Sequence, residues 1–264
     1  MLQALDTAAT GMQAQEMQIQ VIANNLANAS TPGFKVSRAR EQDQVYIDDR
    51  LAGSLSSQQS FVPTGTSVGL GVRTAAVDKI FTQGELNNTG NPLDVAIEGD
   101  GFVQIQLPGG QTAYTRDGSM RVNQNGQFTT LDGYLVMPAV TVPSGAENLT
   151  ISQGGQVSAQ INNSAAPAVL GQIQLVRFVN PGGLQPYGQN LYLQSIASGP
   201  PQVGVPGQNG YGTIMQGYLE MPNESVVTEM VNLIEAQQAY EAGSKATQVA
   251  AQMMSTASNL VTAA

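Results

Sequence analysis

The chain has no cysteine, no histidine and no tryptophan, and only 11% of its 264 residues are charged. Each shortage removes a class of chemistry. Without cysteine there is no disulfide framework, thiol nucleophile or thiolate metal site. Without histidine the commonest general base and metal ligand are gone, which leaves carboxylate-only chemistry as the one enzymatic option. No stretch approaches the roughly 18 consecutive apolar residues of a membrane span. No secretory signal is legible either, since the first basic residue is Lys35 and no apolar block precedes it. The net charge of −9 comes without any basic run. That argues against nucleic acid or anionic lipid as a partner and predicts no membrane insertion. No cofactor or metal site is expected.

What fills the gap is Gln, Asn, Ser, Thr and Gly, alongside 41% hydrophobic residues. The composition fits a folded protein, but a surface of neutral polar groups is poorly defended against association. Such a surface suits a protein covered by copies of itself.

Hydrophobic spacing predicts a helix at each end. Over residues 2–29, Leu5, Met12, Ile19 and Leu26 recur every seven residues, with Leu2, Ala8, Ala9, Ile22 and Ala23 widening the stripe. The helix must stop near Ser30-Thr31-Pro32-Gly33, because proline disfavours helical geometry in the residue before it. The C-terminal helix is expected to start near Asn223 or Ser225, either of which can cap it, with Glu224 and Glu229 near its positive end. Leu233, Tyr240, Thr247, Met254 and Val261 form one seven-residue series there, led by Val226. Ala236, Gly243, Ala250 and Ala257 form a second, and small residues let another helix come close. The faces opposite these stripes are almost uncharged, unlike those of a solvated surface helix. Intermolecular packing is the reading this favours.

Between the helices the chain is rich in Gly and in short alternating segments: Ala96-Ile97, 102–107, 120–122 and 127–130. Turn signals separate them at Asp100-Gly101, Pro108-Gly109-Gly110, Asp117-Gly118, Asn125-Gly126 and Asp132-Gly133. The expected fold class is α+β, mainly β: terminal helices packed as a coiled coil, with a β-rich middle domain of hairpins. Residues 1–30 with 224–264 make a helical domain, 31–70 a connecting segment extended or loosely tied over 46–70, and 71–223 a β-rich domain. Asp94, Glu98 and Asp100 are the only acidic cluster worth weighing, and each sits at a strand edge or turn that Asp supports by itself. Asn123-Gln124-Asn125-Gly126 lacks the acids of a calcium loop, and Gly69-Leu70-Gly71 is no dinucleotide fingerprint. Lys79 and Arg116 read as single cations partnering nearby carboxylates.

Several segments together resemble one family, the axial proteins of the bacterial flagellar rod and hook. Asn24-Asn25-Leu26-Ala27-Asn28-Ala29-Ser30-Thr31-Pro32-Gly33-Phe34-Lys35 is similar to its N-terminal signature. Gly99-Asp100-Gly101-Phe102 and Tyr114-Thr115-Arg116-Asp117-Gly118 resemble its central β motif. Gln216-Gly217-Tyr218-Leu219-Glu220 and the run Glu235 to Glu241, with Ser244-Lys245, resemble its C-terminal signature. Segments 69–72, 81–86 with Thr89-Gly90, and 178–184 look most like the distal rod members. Gln238, Gly243 and Pro222-Asn223-Glu224 depart from the usual pattern, which touches particular contacts and not the fold.

The resemblance implies a structural subunit of the distal rod, polymerising helically into a hollow drive shaft that transmits torque and conducts exported subunits. Its implied partners are copies of itself, proximal rod proteins below, the hook with its junction above, and the surrounding peptidoglycan and outer-membrane ring proteins. Export would run through the flagellar type III apparatus, to the periplasm-spanning basal body. The terminal helices would form an inner tube, the β domain would face outward, and about 46–64 would be a rod-type insertion that stiffens the shaft. Sister readings are a proximal rod or short hook subunit. From other classes come a secreted β-rich binding module or adhesin oligomerised by its helices, and carboxylate-based glycan hydrolysis, which needs two suitably spaced carboxylates in a cleft.

Overall fold

The computed structural model describes residues 2–53, 55–57, 60–61, 63–161 and 166–262. The chain divides into two compact units. One holds residues 1–27, 37–78 and 226–264; the other holds 28–36 and 79–225.

The first unit contains both long helices, α1 (Leu2–Ala27) and α2 (Val226–Thr262). Gly243 of α2 meets Met12 of α1, while Ile22 and Asn25 share a cleft with Glu229 and Asn232, so the helices run antiparallel. Ala14, Ile22 and Asn25 are buried on α1, and Glu229, Ala236 and Ala250 on α2. Ala236 and Ala250 belong with Gly243 to the small-residue series, whose short side chains let the two backbones come close. Three strand pairings complete the unit's topology among the described residues: β1 (Ser37–Asp43) pairs β6 (Val72–Lys79), while β2 (Tyr46–Arg50) pairs β5 (Thr66–Gly69) and β3 (Leu55–Ser57) pairs the two-residue β4 (Ser60–Phe61), both antiparallel. Asn25 donates from Nδ2 to the Ser37 carbonyl at 2.9 Å and accepts from the Ser37 amide at 3.0 Å.

Among its described residues the second unit has β-strands and one 3-10 turn, at Pro181–Gly183. Its strands are β7 (Leu86–Asn88), β8 (Val95–Glu98), β9 (Phe102–Gln106), β10 (Thr112–Thr115), β11 (Arg121–Val122), β12 (Phe128–Thr129) and β13 (Leu135–Met137). They continue with β14 (Ala146–Ile151), β15 (Gln156–Ile161), β16 (Ala168–Gln172), β17 (Leu175–Arg177), β18 (Gln185–Gly188) and β19 (Leu191–Leu193). Last come β20 (Gln202–Gly204), β21 (Thr213–Gln216) and β22 (Tyr218–Glu220). The main sheet runs β11-β12-β13-β9-β10-β19-β18, with β17 bridging β9 and β20. A separate sheet runs β14-β15-β16. One apolar core joins them, including Ile97, Ile105, Met120, Phe128, Val157, Leu175 and Ile214. A second, aromatic cluster holds Phe81, Phe102, Tyr114, Phe178 and Tyr192 in edge-to-face pairs with centroids 4.8 to 6.2 Å apart.

Three local expectations change. The first helix ends at Ala27, where the Thr31 amide donates to the Asn28 carbonyl and opens the turn early. Asn223 does not cap α2: its side chain accepts from the Val36 amide and donates to the Ile80 carbonyl and Thr82 Oγ1. Residues 46–70, expected to be extended or loosely tied, are extended but paired, with the β3-β4 pair nested inside the β2-β5 pair; 54, 58, 59 and 62 lie outside the described residues.

Candidate assembly faces and a buried ion triad

Two features stand out, one in each unit: a helix with two apolar faces and a charge cluster sealed from water. On α2 the helical repeat of 100° per residue places Glu229, Leu233, Ala236, Gly243, Thr247, Ala250 and Met254 along one side. These are the buried and half-buried positions. On the opposite side Val227, Met230, Val231 and Ile234 are half or more exposed, and Val249 and Met253 follow them further along. Of the residues singled out in sequence, Leu5, Met12, Ile19 and Leu26 are half-buried on α1. Ala236, Gly243 and Ala250 line the helix pair, and Tyr240 is 40% exposed at its edge. Val261 falls among residues whose side chains are not described. The exposed stripe 227–234 was not singled out, although its i, i+3, i+4, i+7 spacing was there to be read.

In the β-rich unit the N-terminal signature is a docked turn. Asn28 and Thr31 hold each other, the Pro32 carbonyl accepts from Asn190 Nδ2 at 3.0 Å, and the Gly33 amide donates to the Glu220 carbonyl at 2.8 Å. Phe34 is buried under the Lys79 ammonium, 4.7 Å from its ring centroid. Lys35 follows, and its side chain is fully buried, as is that of Glu220. Lys35 Nζ donates to Glu220 Oε1 at 2.6 Å and to the Thr82 carbonyl at 2.7 Å. Arg116 completes a triad: Nη1 reaches Glu220 Oε2 at 3.3 Å, Nη2 donates to the Gly99 carbonyl at 2.8 Å, and the guanidinium lies over the Phe102 ring. Arg116 Nε is buried with no hydrogen-bond partner. Burial holds the Lys35 pKa below its usual value, helped by the Arg116 charge and opposed by Glu220. Burial also pushes up the hydroxyls of Tyr114 and Tyr192.

The remaining acids do not converge. Asp94 accepts from Thr89, Asn91 and Arg121, Glu98 from Thr213, and Asp100 pairs with Arg177. Among the described residues no group of three acids could hold a metal ion, and no helix is long and apolar enough to cross a membrane.

Comparison with known proteins matches three stretches in order. A sequence family described as flagella basal body rod protein covers residues 5–35. The flagellar hook protein FlgE/F/G D1 domain covers 96–159, and the flagellar basal body rod FlgEFG protein C-terminal region covers 215–260. The flagellar basal-body rod protein FlgG of Caulobacter vibrioides is 46% identical over 98% of this chain and 99% of its own length. That of Borreliella burgdorferi is 45% identical over 98% and 99%, and that of Bacillus subtilis 34% over 93% and 94%. The chain belongs to the flagellar basal-body rod proteins. A flagellar hook protein, FlgE of Helicobacter mustelae, matches only 52% of the chain and 30% of its own length.

As a rod protein the chain is a structural subunit of the flagellar basal body, and the triad gains a context. Lys35, Arg116 and Glu220 come one from each matched stretch. Sequence reading found the three signatures but not that their charges meet, because 185 residues separate Lys35 from Glu220. The available signal was chemical: charges are scarce in this chain, yet each signature carries at least one.

Proposed function

We propose that this chain is a distal rod subunit that polymerises helically, through its terminal helices, into a hollow shaft transmitting torque and conducting exported proteins. One observation carries the reading: α2 is apolar on two opposite sides and only one of them meets α1. A helix that is apolar on both sides is buried on both sides in its working state. Four half-exposed apolar residues in the first two turns of α2 are a face for another helix, and a second copy supplies one of the same neutral, small-residue character. Such contacts run head to tail without closing, which yields a filament and not a ring.

In this reading residues 1–30 with 224–264 form the inner tube and 71–223 the outward domain. Residues 46–64 are the rod-type insertion. Their ribbon exposes Tyr46, Ile47, Leu51 and Phe61, and a two-stranded ribbon of that kind is marginal without a neighbour to cover it. Proximal rod proteins lie below, the hook and its junction above, and the peptidoglycan and outer-membrane ring proteins around the shaft in the periplasm. The subunit leaves by the type III apparatus. The role is mechanical and not catalytic.

Electron microscopy of the purified protein at high concentration tests this. The wild type forms tubes; V231E/I234E, which puts two charges on the outer face of α2, remains monomeric with an unchanged β-rich unit. Tubes from the double variant would remove the outer face from the assembly.

A further inference from the structure

We propose that residues 213–223 are a closing strap: with the segments they tie, they form one cooperative unit of the β-rich domain that closes last, when Glu220 neutralises two buried cations. The inference concerns folding order and holds whether or not the rod reading does.

The topology makes the case first. Among the described residues β8 pairs with β21 alone and β7 with β22 alone. The register runs Thr213↔Glu98 to Gln216↔Val95, then Tyr218↔Asn88 to Glu220↔Leu86. Around this ladder the strap sutures distant stretches. Its Ile214 amide donates to the Gln153 carbonyl, and Gln216 Nε2 donates to the carbonyls of Pro92 and Leu149. The Glu220 carbonyl takes the Gly33 amide, its Oε1 takes the Gly84 amide at 2.9 Å, and Asn223 holds Val36, Ile80 and Thr82. The main-sheet strands β9, β10, β12, β13 and β19 pair among themselves without it.

Electrostatics then sets the order. Lys35 and Arg116 are both buried and each repels the other's charge, so without Glu220 two cations would face each other in a low-dielectric interior. Removing one partner from a buried ion group leaves an uncompensated charge, which is far costlier than never having built the group. The region around residues 33–36 and 80–88 therefore stays open until residue 220 is in place. Backbone approach enforces the fit: a Cβ on Gly84 would sit 1.9 Å from the Met221 carbonyl oxygen, so only a glycine lets the strap seat.

Native-state hydrogen exchange on the full-length protein tests this with Glu220→Gln, which keeps shape and removes charge. Protection at Gly33, Gly84, β7, β8 and the strap falls together, by about a hundredfold or more, the scale of a broken buried ion pair. Amides of β9, β10 and β15 keep theirs. Adding Lys35→Met to Glu220→Gln removes the stranded ammonium and restores part of the lost protection. Uniform loss across the β-rich unit overturns the proposal, because the strap is then no separate unit. Loss confined to the neighbours of residue 220 overturns it equally, as does a K35M/E220Q double variant no better protected than E220Q.

Discussion

Lys35 shows what a single buried side chain asks of its surroundings. Its ammonium has given up water for one carboxylate and one carbonyl, and burial lowers its pKa from 10.5. Lys79 is lowered by burial in the same way. For a lysine lowered in the native state, the unfolded chain holds the extra proton between the lowered value and 10.5, so stability rises with pH across that window. Tyr114 and Tyr192 act in the opposite sense. Their raised values mean the stability of the neutral phenols is complete below 10.0 and is lost as pH climbs above it. Denaturant midpoints taken from neutral pH to about 11 should therefore rise and then turn down near pH 10. Y192F flattens the downturn and K35M flattens the rise. A monotonic fall in the wild type from neutral pH upward is the outcome that contradicts this.

At the scale of elements, the small-residue seam of α2 is the part most open to direct test. Gly243 carries no side chain where Met12 crosses, and an added Cβ would lie 2.9 Å from Met12 Cγ. Gly243→Ala gains about 1 kcal/mol of helix propensity and loses a similar amount to that contact, so it is near neutral. Gly243→Leu cannot be absorbed and should separate the helices, lowering helix content by circular dichroism while the β signal persists. A G243L protein with wild-type helix content and assembly would show that the seam tolerates bulk. Much of this level was legible beforehand. The expected turn at Pro108-Gly109-Gly110 lies between β9 and β10, and those at Asn125-Gly126 and Asp132-Gly133 flank β12, because glycine after a polar residue fixes the turn whatever the rest of the fold does. The hairpins in 46–70 were not legible, since their strands are exposed on every residue of β2 and carry no alternating pattern. Asn223 was misread for a related reason: a side chain that can cap a helix can equally bind a distant backbone, and only the tertiary fold decides.

For the whole molecule the question is what the two units do apart and together. The β-rich unit has two apolar clusters of its own, with Leu131, Val169, Val179 and Ile196 left exposed around them, whereas the helical unit keeps its outer α2 face and much of its ribbon uncovered. An isolated antiparallel helix pair so rich in alanine buries little area to offset the conformational entropy of ordering about sixty residues. In dilute monomer the amides of α1 and α2 should then exchange orders of magnitude faster than those of β9 or β15, and they should slow sharply as concentration drives assembly. Removing residues 1–27 separates the two units more directly. The remaining chain should keep the thermal transition of the β-rich unit, and it should neither form tubes nor protect α2 at any concentration. If α2 stayed protected without α1, its inner seam would be dispensable and the outer face alone would be holding it. If instead the β-rich transition disappeared with α1, the two units would be one cooperative structure, and the mechanical picture of a folded outer domain carried on helices ordered by their neighbours would fail.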